Sequence, residues 1–320
     1  MGRYLPHLIV GLLGLVFVAI GLFAGRFVLY LTMRVMLLSI FALGYNLLLG
    51  RTGLLSFGHG AFYAAGSYGM ALFYLHVSSD PLLGIIAGLA LAAFTALIIG
   101  FFCVRHTEIY FAMLTLAFGM MVFSLIWNLR DITGGDDGLV GIGRGPLLGF
   151  SIAKDSQYYF LVLFCFALTV WLIHRIRSSA FGLILAGIRE NPQRTSFAGL
   201  SVKGYRLAAF VISAVFAGLA GSLGAMLESN TDPFSAHWTH SAEPVLVSLI
   251  GGLQTFSGPI AGSVIFVVLR ETIERFTQNW MLWFGMILLV IIMGFRGGAM
   301  GAPERLLRRI VRKSREEGAS

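Results

Sequence analysis

The chain reads as an all-α, polytopic helical membrane protein with about ten membrane elements, two of them interrupted. Three observations carry that reading. Only 12% of the 320 residues are charged and 57% are hydrophobic, whereas roughly a quarter of a soluble domain is charged. Mean hydropathy is +0.84, and the apolar residues gather into runs close to the ~20 residues that a spanning helix needs. The short alternating segments of a transmembrane barrel do not occur.

In chain order, apolar spans are expected at about 7–25, 27–50, 58–77, 82–103, 109–127, 158–174, 205–228 and 281–295. Arg3 and the run behind it resemble a signal sequence. That run reaches residue 25 and further spans follow, so an uncleaved anchor is expected. The stretch 244–276 is too long for one ordinary span, and "GGLQTFSGP" interrupts it. It is read as two elements meeting at 255–258.

Charge placement tests this division. Residues 175–206 carry Arg175, Arg177, Arg189, Arg194, Lys203 and Arg206 against the single acid Glu190. The tail beyond Arg296 carries Arg305, Arg308, Arg309, Arg312, Lys313 and Arg315, and the loop 229–243 has neither Lys nor Arg. Positive loops stay in the cytoplasm, so 175–206 and both termini are expected inside and 229–243 outside. An even number of crossings must then separate residues 206 and 296, and dividing 244–276 supplies it.

The net charge of +8 does not point to nucleic acid, because the cations fall between and after apolar segments as topology determinants do. None of Lys154, Lys203 and Lys313 follows a glycine. A Gly-Lys-Ser/Thr phosphate loop is therefore excluded. Cys103 and Cys165 lie in apolar segments and read as small buried hydrophobes. No Gly-x-Ser-x-Gly elbow and no His-Glu-x-x-His occur, so no catalytic residue is assigned. His237, His240 and Glu243 recur at intervals that zinc would accept. Pro233 and Pro244 flank them, so they read as polar loop residues and no metal is expected. "ITGGDDGLVGIGRG" lacks the alternating oxygen ligands of a calcium loop. It is expected to form a compact turn and a landing surface for an external partner.

Two segments break their apolar runs in the same way: "TGLLSFGHGAFYAAGS" at 52–67 and "GGLQTFSGPIAGS" at 251–263. Both contain Gly-Leu-x-Ser/Thr-Phe. Unwound backbone can offer amides and carbonyls to a polar solute, and it is tolerated at depth only where protein or water covers it. The candidates for a translocation pathway are Asn46, Gly53, Ser56, Gly58, His59, Gly60, Tyr68, Gln254 and Thr255. The competing reading is that Gly53, Gly58, Gly60, Gly66 and Gly69 permit close helix packing, with His59 a satisfied packing residue. Arg34 interrupts a span, where an arginine costs roughly 2.5–3.5 kcal/mol. It is expected to face the interior, a cavity or a near interface, with snorkelling the default.

The polar module "GIRENPQRTSFAGLSVKGYR" at 187–206 differs from everything around it. Asn191 suits an N-cap, Pro192 the first helical turn and Gly199 the position just past the end. A two-turn helix is expected over 192–198. Ordinary connections between helices run to ~2–8 residues, and this one is far longer. It reads as a docking element that pushes on the spans it joins. The tail "APERLLRRIVRKSREE" reads as a basic amphipathic helix on anionic membrane lipid.

"GYNLLLGRTGLLSFGHGAF", "EIYFAMLTLAFGMM" followed by "TGGDDGLVGI", and "AGIRENPQRTSFAGLSVKGYRLAAFVISAVFAGLAGSL" closely resemble the LivM-type permeases of branched-chain amino acid ABC importers. The likeness runs from about residue 40 to residue 300. It implies a transmembrane permease domain over 1–302, with 174–205 as a cytoplasmic coupling segment and 303–320 as a basic cytoplasmic tail. In that family the stretch 189–199 seats on the ATP-binding subunit, which points to Arg189, Glu190, Asn191, Pro192, Arg194 and Gly199. Glu190, Asn191, Pro192 and Gly199 match the coupling pattern, and Gly53, Ser56, Gly58 and Gly60 match the glycine-rich element. The implied partners are a LivH-type permease subunit, two cytoplasmic ATP-binding subunits and a periplasmic solute-binding protein. The implied location is the bacterial inner membrane. The chain itself would bind no cofactor, since ATP and magnesium belong to the partner subunits. Urea or short amides remain alternative solutes. An ion-coupled transporter would need a deep intramembrane acid, and Glu228 and Glu108 lie only at span ends.

Overall fold

The computed structural model describes residues 17–106, 108–147, 150–277, 279–294 and 298–299. Most of the expected first span and the whole tail 303–320 lie outside the described residues. Residues 17–23 are helical.

Helix α1 (Arg26–Thr52) runs the length of the bundle and ends where Gly53 takes the left-handed conformation, φ 76°. A side chain is strained there, so glycine is the natural stop. Residues 53–58 are not helical, and α2 (His59–His76) begins after them. Asp80 caps α3 (Pro81–Cys103) by accepting from the Leu82 amide at 2.9 Å, with Pro81 in the first turn. Then come α4 (Glu108–Asn128) and the short α5 (Arg130–Thr133), followed by α6 (Asp155–Ser178), α7 (Ala180–Glu190) and α8 (Pro192–Phe197). Four further helices complete the described chain: α9 (Val202–Glu228), α10 (Trp238–Gly251), α11 (Gly258–Phe276) and α12 (Trp280–Gly294).

Among the described residues, five helices are long and apolar enough to cross a membrane: Arg26–Thr52, Pro81–Cys103, Ile109–Asn128, Asp155–Ser178 and Val202–Glu228. The chain is a multi-pass helical membrane protein. The apolar window of α9 is 78% buried and that of α1 56%, against 33% for α3 and 28% each for α4 and α6. The first two therefore form the centre, and the others expose Phe94, Leu97, Ile98, Met113 and Phe164 outward, as lipid contact requires. Small residues let the central helices touch. A Cβ on Gly66 of α2 would collide with the Gly218 carbonyl of α9, and the Ser222 hydroxyl of α9 donates to the Gly66 carbonyl at 3.0 Å.

Side-chain bonds define the two ends of the bundle. At one end, Tyr30 donates to Glu228 at 2.7 Å. Close by, Arg144 pairs with Asp155 at 2.7 Å and donates to the carbonyls of Met226 and Leu227 in the last turn of α9. The glycine-rich stretch 134–141 forms a turn there, and Leu139–Val140 pairs antiparallel with Asn230–Thr231. At the other end lie the last turns of α1 and α6, then α7 and α8, and the junction of α10 with α11.

The division of 244–276 falls at 252–257, slightly before the expected 255–258. The stretch 229–243 is not the plain loop the sequence suggested. Its second half is helical, and it threads back along α2. Thr231 Oγ1 donates to Ser67 Oγ at 2.8 Å, and further on the Gly60 amide donates to Ser241 Oγ at 2.7 Å. The start of α10 thus packs beside the start of α2, while Trp238 stays 45% exposed.

Candidate functional site

Helix α8 is bounded as its sequence requires. Asn191 Oδ1 accepts from the Arg194 amide at 2.9 Å, Pro192 occupies the first turn and Gly199 has φ 82°. The helix ends at Phe197, one residue short of the expected 198. In front of it stands a helix the sequence did not announce. The α7 helix buries Gly182, Leu185 and Ile188, exposes Leu183, and is capped by Ser179 accepting from the Gly182 amide. Between α7 and α8 lies an open groove of about 510 Å³, lined by Leu183, Gly187, Glu190, Asn191, Arg194 and Leu200 among others. Phe197 is 90% exposed.

Two arginines tie this surface to the interior. Arg189, in the last turn of α7, donates to the carbonyl of Gly50, just ahead of the first break. Arg177, at the end of α6, donates to the carbonyls of Gln254 (3.1 Å) and Thr255 (3.5 Å) in the second break, and its guanidinium lies 5.5 Å from the Phe256 ring centre. The breaks are also neighbours of one another. Asn46 Nδ2 donates to the Thr255 carbonyl at 3.5 Å, and a Cβ on Gly50 would lie 2.6 Å from the Leu253 carbonyl. Among the expected residues, Asn46, Gly53, Gln254 and Thr255 therefore converge beside Arg177 and Arg189. Arg177 entered the sequence argument only as a charge, and Arg189 as a charge and a coupling residue. Nothing local reveals that they reach backbone carbonyls so distant in the chain.

The first break is held by hydroxyl groups. The amides of Leu54, Ser56, Phe57 and Gly58 donate to Thr52 Oγ1, Tyr45 Oη, Thr115 Oγ1 and Ser56 Oγ, at 3.2–3.3 Å. Buried backbone that leaves a helix needs such partners. His59 is fully buried, its Nδ1 2.9 Å from Ser56 Oγ and its Nε2 2.8 Å from Ser213 Oγ. It also meets the rings of Tyr45, Phe62 and Phe210 edge to face. Gly58 packs on Thr115 and Gly60 on Ser241. Tyr68 stands apart, two turns further along α2 among Ala64, Ile126 and Ala236. Tyr45, Thr115 and Ser213 went unrecognised in the sequence because each sits in an apolar run, and Ser241 because it reads as one more polar residue of the 229–243 loop.

His237, His240 and Glu243 do not gather. His237 caps α10 by accepting from the Thr239 amide and packs on Phe123, whereas His240 pairs with Glu243 at 3.3 Å. Among the described residues, no three His, Cys, Asp or Glu side chains converge as metal ligands. Glu243 lies in the second turn of α10, with its side chain 23% exposed.

Five apolar spans among the described residues, with two breaks between helices and an amphipathic helix bonded beside the first of them, make this a multi-pass helical membrane protein. The chain belongs to the family of branched-chain amino acid transport system permease components, whose model matches residues 27–295. It is 31% identical over 283 residues to the high-affinity branched-chain amino acid transport system permease protein LivM of Escherichia coli K12, covering 80% of this chain and 66% of that one. It is 24% identical to the probable LivM of Methanocaldococcus jannaschii, over 72% of this chain and 70% of that one. To LivH of Escherichia coli K12 it is 23% identical, over 83% of this chain and 92% of the other. The chain thus spans about two thirds of the Escherichia coli LivM. No solved structure matches it.

Proposed function

We propose that this chain is a transmembrane permease subunit of an ATP-driven ABC importer that passes branched-chain or other hydrophobic amino acids. Its partners are a LivH-type permease subunit, two cytoplasmic ATP-binding subunits and a periplasmic solute-binding protein, assembled in a bacterial inner membrane. Both chain termini and the α7–α8 surface face the cytoplasm, and Arg144 and the glycine-rich turn face the periplasm. The observation that carries this reading is the pair of arginine links. Arg189, on the helix that walls the groove, donates just ahead of the first break, and Arg177, at the end of α6 three residues before that helix begins, donates to the second.

In this mechanism the ATP-binding subunits seat on Glu190, Asn191, Pro192, Arg194 and Gly199. Their closure moves α7 and α8 as a lever, and Arg189 and Arg177 pass the movement to the breaks at 53–58 and 252–257. Asn46, Gln254 and Thr255 lie where the two breaks meet and form the inner gate. Ser56, Gly58, His59 and Gly60 are the fixed knot on which α2 pivots. Alternating access follows from rocking of the bundle about the breaks. Hydrolysis is done wholly by the partners, and the solute-binding protein supplies most of the selection.

Reconstitution tests the assignment. Proteoliposomes holding the complete complex are expected to take up leucine only with ATP and binding protein present. Uptake by this chain alone on an ion gradient, for which Glu243 provides a candidate acid, would overturn it. Uptake of urea or acetamide with rejection of leucine would retain the importer and replace its solute.

A further inference from the structure

A second group of charges lies well away from the coupling surface. Beside the Tyr30–Glu228 bond, Arg34 stands one turn along α1 with its guanidinium 5.7 Å from the Tyr30 ring centre. Glu243 of α10 pairs with His240 on its own helix at 3.3 Å and with Arg270 of α11 at 3.5 Å. Arg270 also holds Glu274 at 2.8 Å. Tyr63 of α2 packs its ring edge-on against His240, centroids 4.5 Å apart. Arg34 lies within electrostatic reach of both Glu243 and Tyr63. Three helices thus bring opposite charges to one place, with the Tyr63 ring of a fourth beside them; Arg34 lies about 12 Å along α1 from Arg26 at 1.5 Å per residue.

Charged groups gathered between the helices of an apolar bundle are expensive, and such groups mark solute paths. These are neither sealed in the core nor free in solvent. The side chains of His240 and Glu243 are 23% exposed and that of Arg270 is 30% exposed. The contacts within the set are uneven. The Arg270–Glu243 contact is 0.7 Å longer than the Arg270–Glu274 contact, and His240 Nε2 is buried without a partner. A ligand bearing both signs could separate Glu243 from Arg270 and leave neither charge unpaired, since Arg270 keeps Glu274.

A hydrophobic amino acid is such a ligand, with a carboxylate and an ammonium on one carbon beside an apolar side chain. We propose that Arg34, Tyr63, His240, Glu243 and Arg270 form a binding station for the zwitterionic head of the transported amino acid. Arg34 and Arg270 receive the carboxylate. Glu243 and the Tyr63 hydroxyl receive the ammonium. Phe41, its ring 5.7 Å from His240, gives the apolar side chain a surface. This inference rests on the permease reading above and adds to it a place and a polarity.

The test uses the complete complex in lipid nanodiscs with the solute-binding protein left out, and saturation-transfer NMR to detect weak binding. The probes are L-leucine, 4-methylpentanoate (no ammonium) and isopentylamine (no carboxylate). Leucine is expected to bind saturably, with each analogue about tenfold weaker, the worth of one charge-assisted contact. Glu243→Gln should weaken leucine by a similar factor and leave 4-methylpentanoate unchanged. Arg270→Gln should weaken leucine and leave isopentylamine unchanged. A general loss of structure would not spare one analogue in each variant. Equal binding of the three probes overturns the proposal, as does absence of leucine binding in a complex that still imports leucine with ATP. Dissociation of the permease subunits in both variants, without a probe-specific change, assigns the cluster to their interface and also overturns it. Failure of the unmodified complex to import leucine counts instead against the permease reading.

Discussion

Arg189 donates to the carbonyl of Gly50, a residue whose peptide lies within one turn of the left-handed stop at Gly53. The contact is reinforced by shape, because a Cβ on Gly53 would lie 3.3 Å from Arg189 Cγ. A charged donor on a carbonyl in a half-buried place is worth roughly 1.5–3 kcal/mol. Arg189→Met keeps the reach and removes the donor. ATP turnover by the complex should change less than about twofold, whereas solute moved per ATP should fall about tenfold, the equivalent of ~1.4 kcal/mol of lost linkage. Paired measurement of phosphate release and leucine uptake in the same vesicles checks this, and an unchanged ratio would make Arg189 a passive anchor.

The cap of α8 can be tested separately from its surface. Asn191 accepts from the Arg194 amide, and its loss costs about 1 kcal/mol. Asn191→Ala should fray a helix of six residues and lower binding-protein-stimulated ATP turnover several-fold. Asn191→Asp, which caps as well, should restore it. Failure of the aspartate variant to rescue would assign Asn191 to direct contact with the partner.

That helix was legible in the sequence because every determinant of it is local: Asn191, Pro192 and Gly199 act on backbone within a few residues. The stop at Gly53 was legible for the same reason. The groove was not, because nothing in "AFGLILAGIRE", read only as part of the cytoplasmic segment 174–205, announces a second helix packed against the first. Only Ser179, capping a new helix at Gly182, separates the two. The links from Arg177 to Gln254 and from His59 to Ser213 join residues 77 and 154 positions apart. Periodicity carries no trace of such pairs. Glu243 reads as a loop residue and Arg270 as one charge in an ambiguous apolar stretch; their pairing joins two helices 27 positions apart and leaves no local signal.

The His59 knot should be structural. Ser213→Ala leaves His59 Nε2 buried without a partner, at a cost of about 1–3 kcal/mol. The variant should insert normally and lose thermal stability in lipid, with the affinity of the complex for leucine unchanged. A selective loss of leucine uptake at full stability would instead put His59 on the solute path.

Phe197 is the sharpest test of the docking surface. It closes α8 with 90% of its surface exposed, among polar and charged neighbours and far from any lipid-facing helix face. An isolated phenylalanine gains nothing from that position in the chain alone, since burying it would contribute stability and exposing it contributes none. Aromatic side chains of this kind dominate interfaces, where truncation commonly costs 2 kcal/mol or more. Phe197→Asp should therefore leave folding, insertion and thermal stability as they are. The ATP-binding subunits should bind about thirtyfold more weakly, which corresponds to the loss of ~2 kcal/mol. Co-purification under graded salt, or titration of labelled ATP-binding subunit onto the nanodisc-embedded permease, reads the change. If the aspartate variant binds with undiminished affinity, the groove between α7 and α8 is not where those subunits seat, and the lever has to be sought elsewhere on the same end of the bundle.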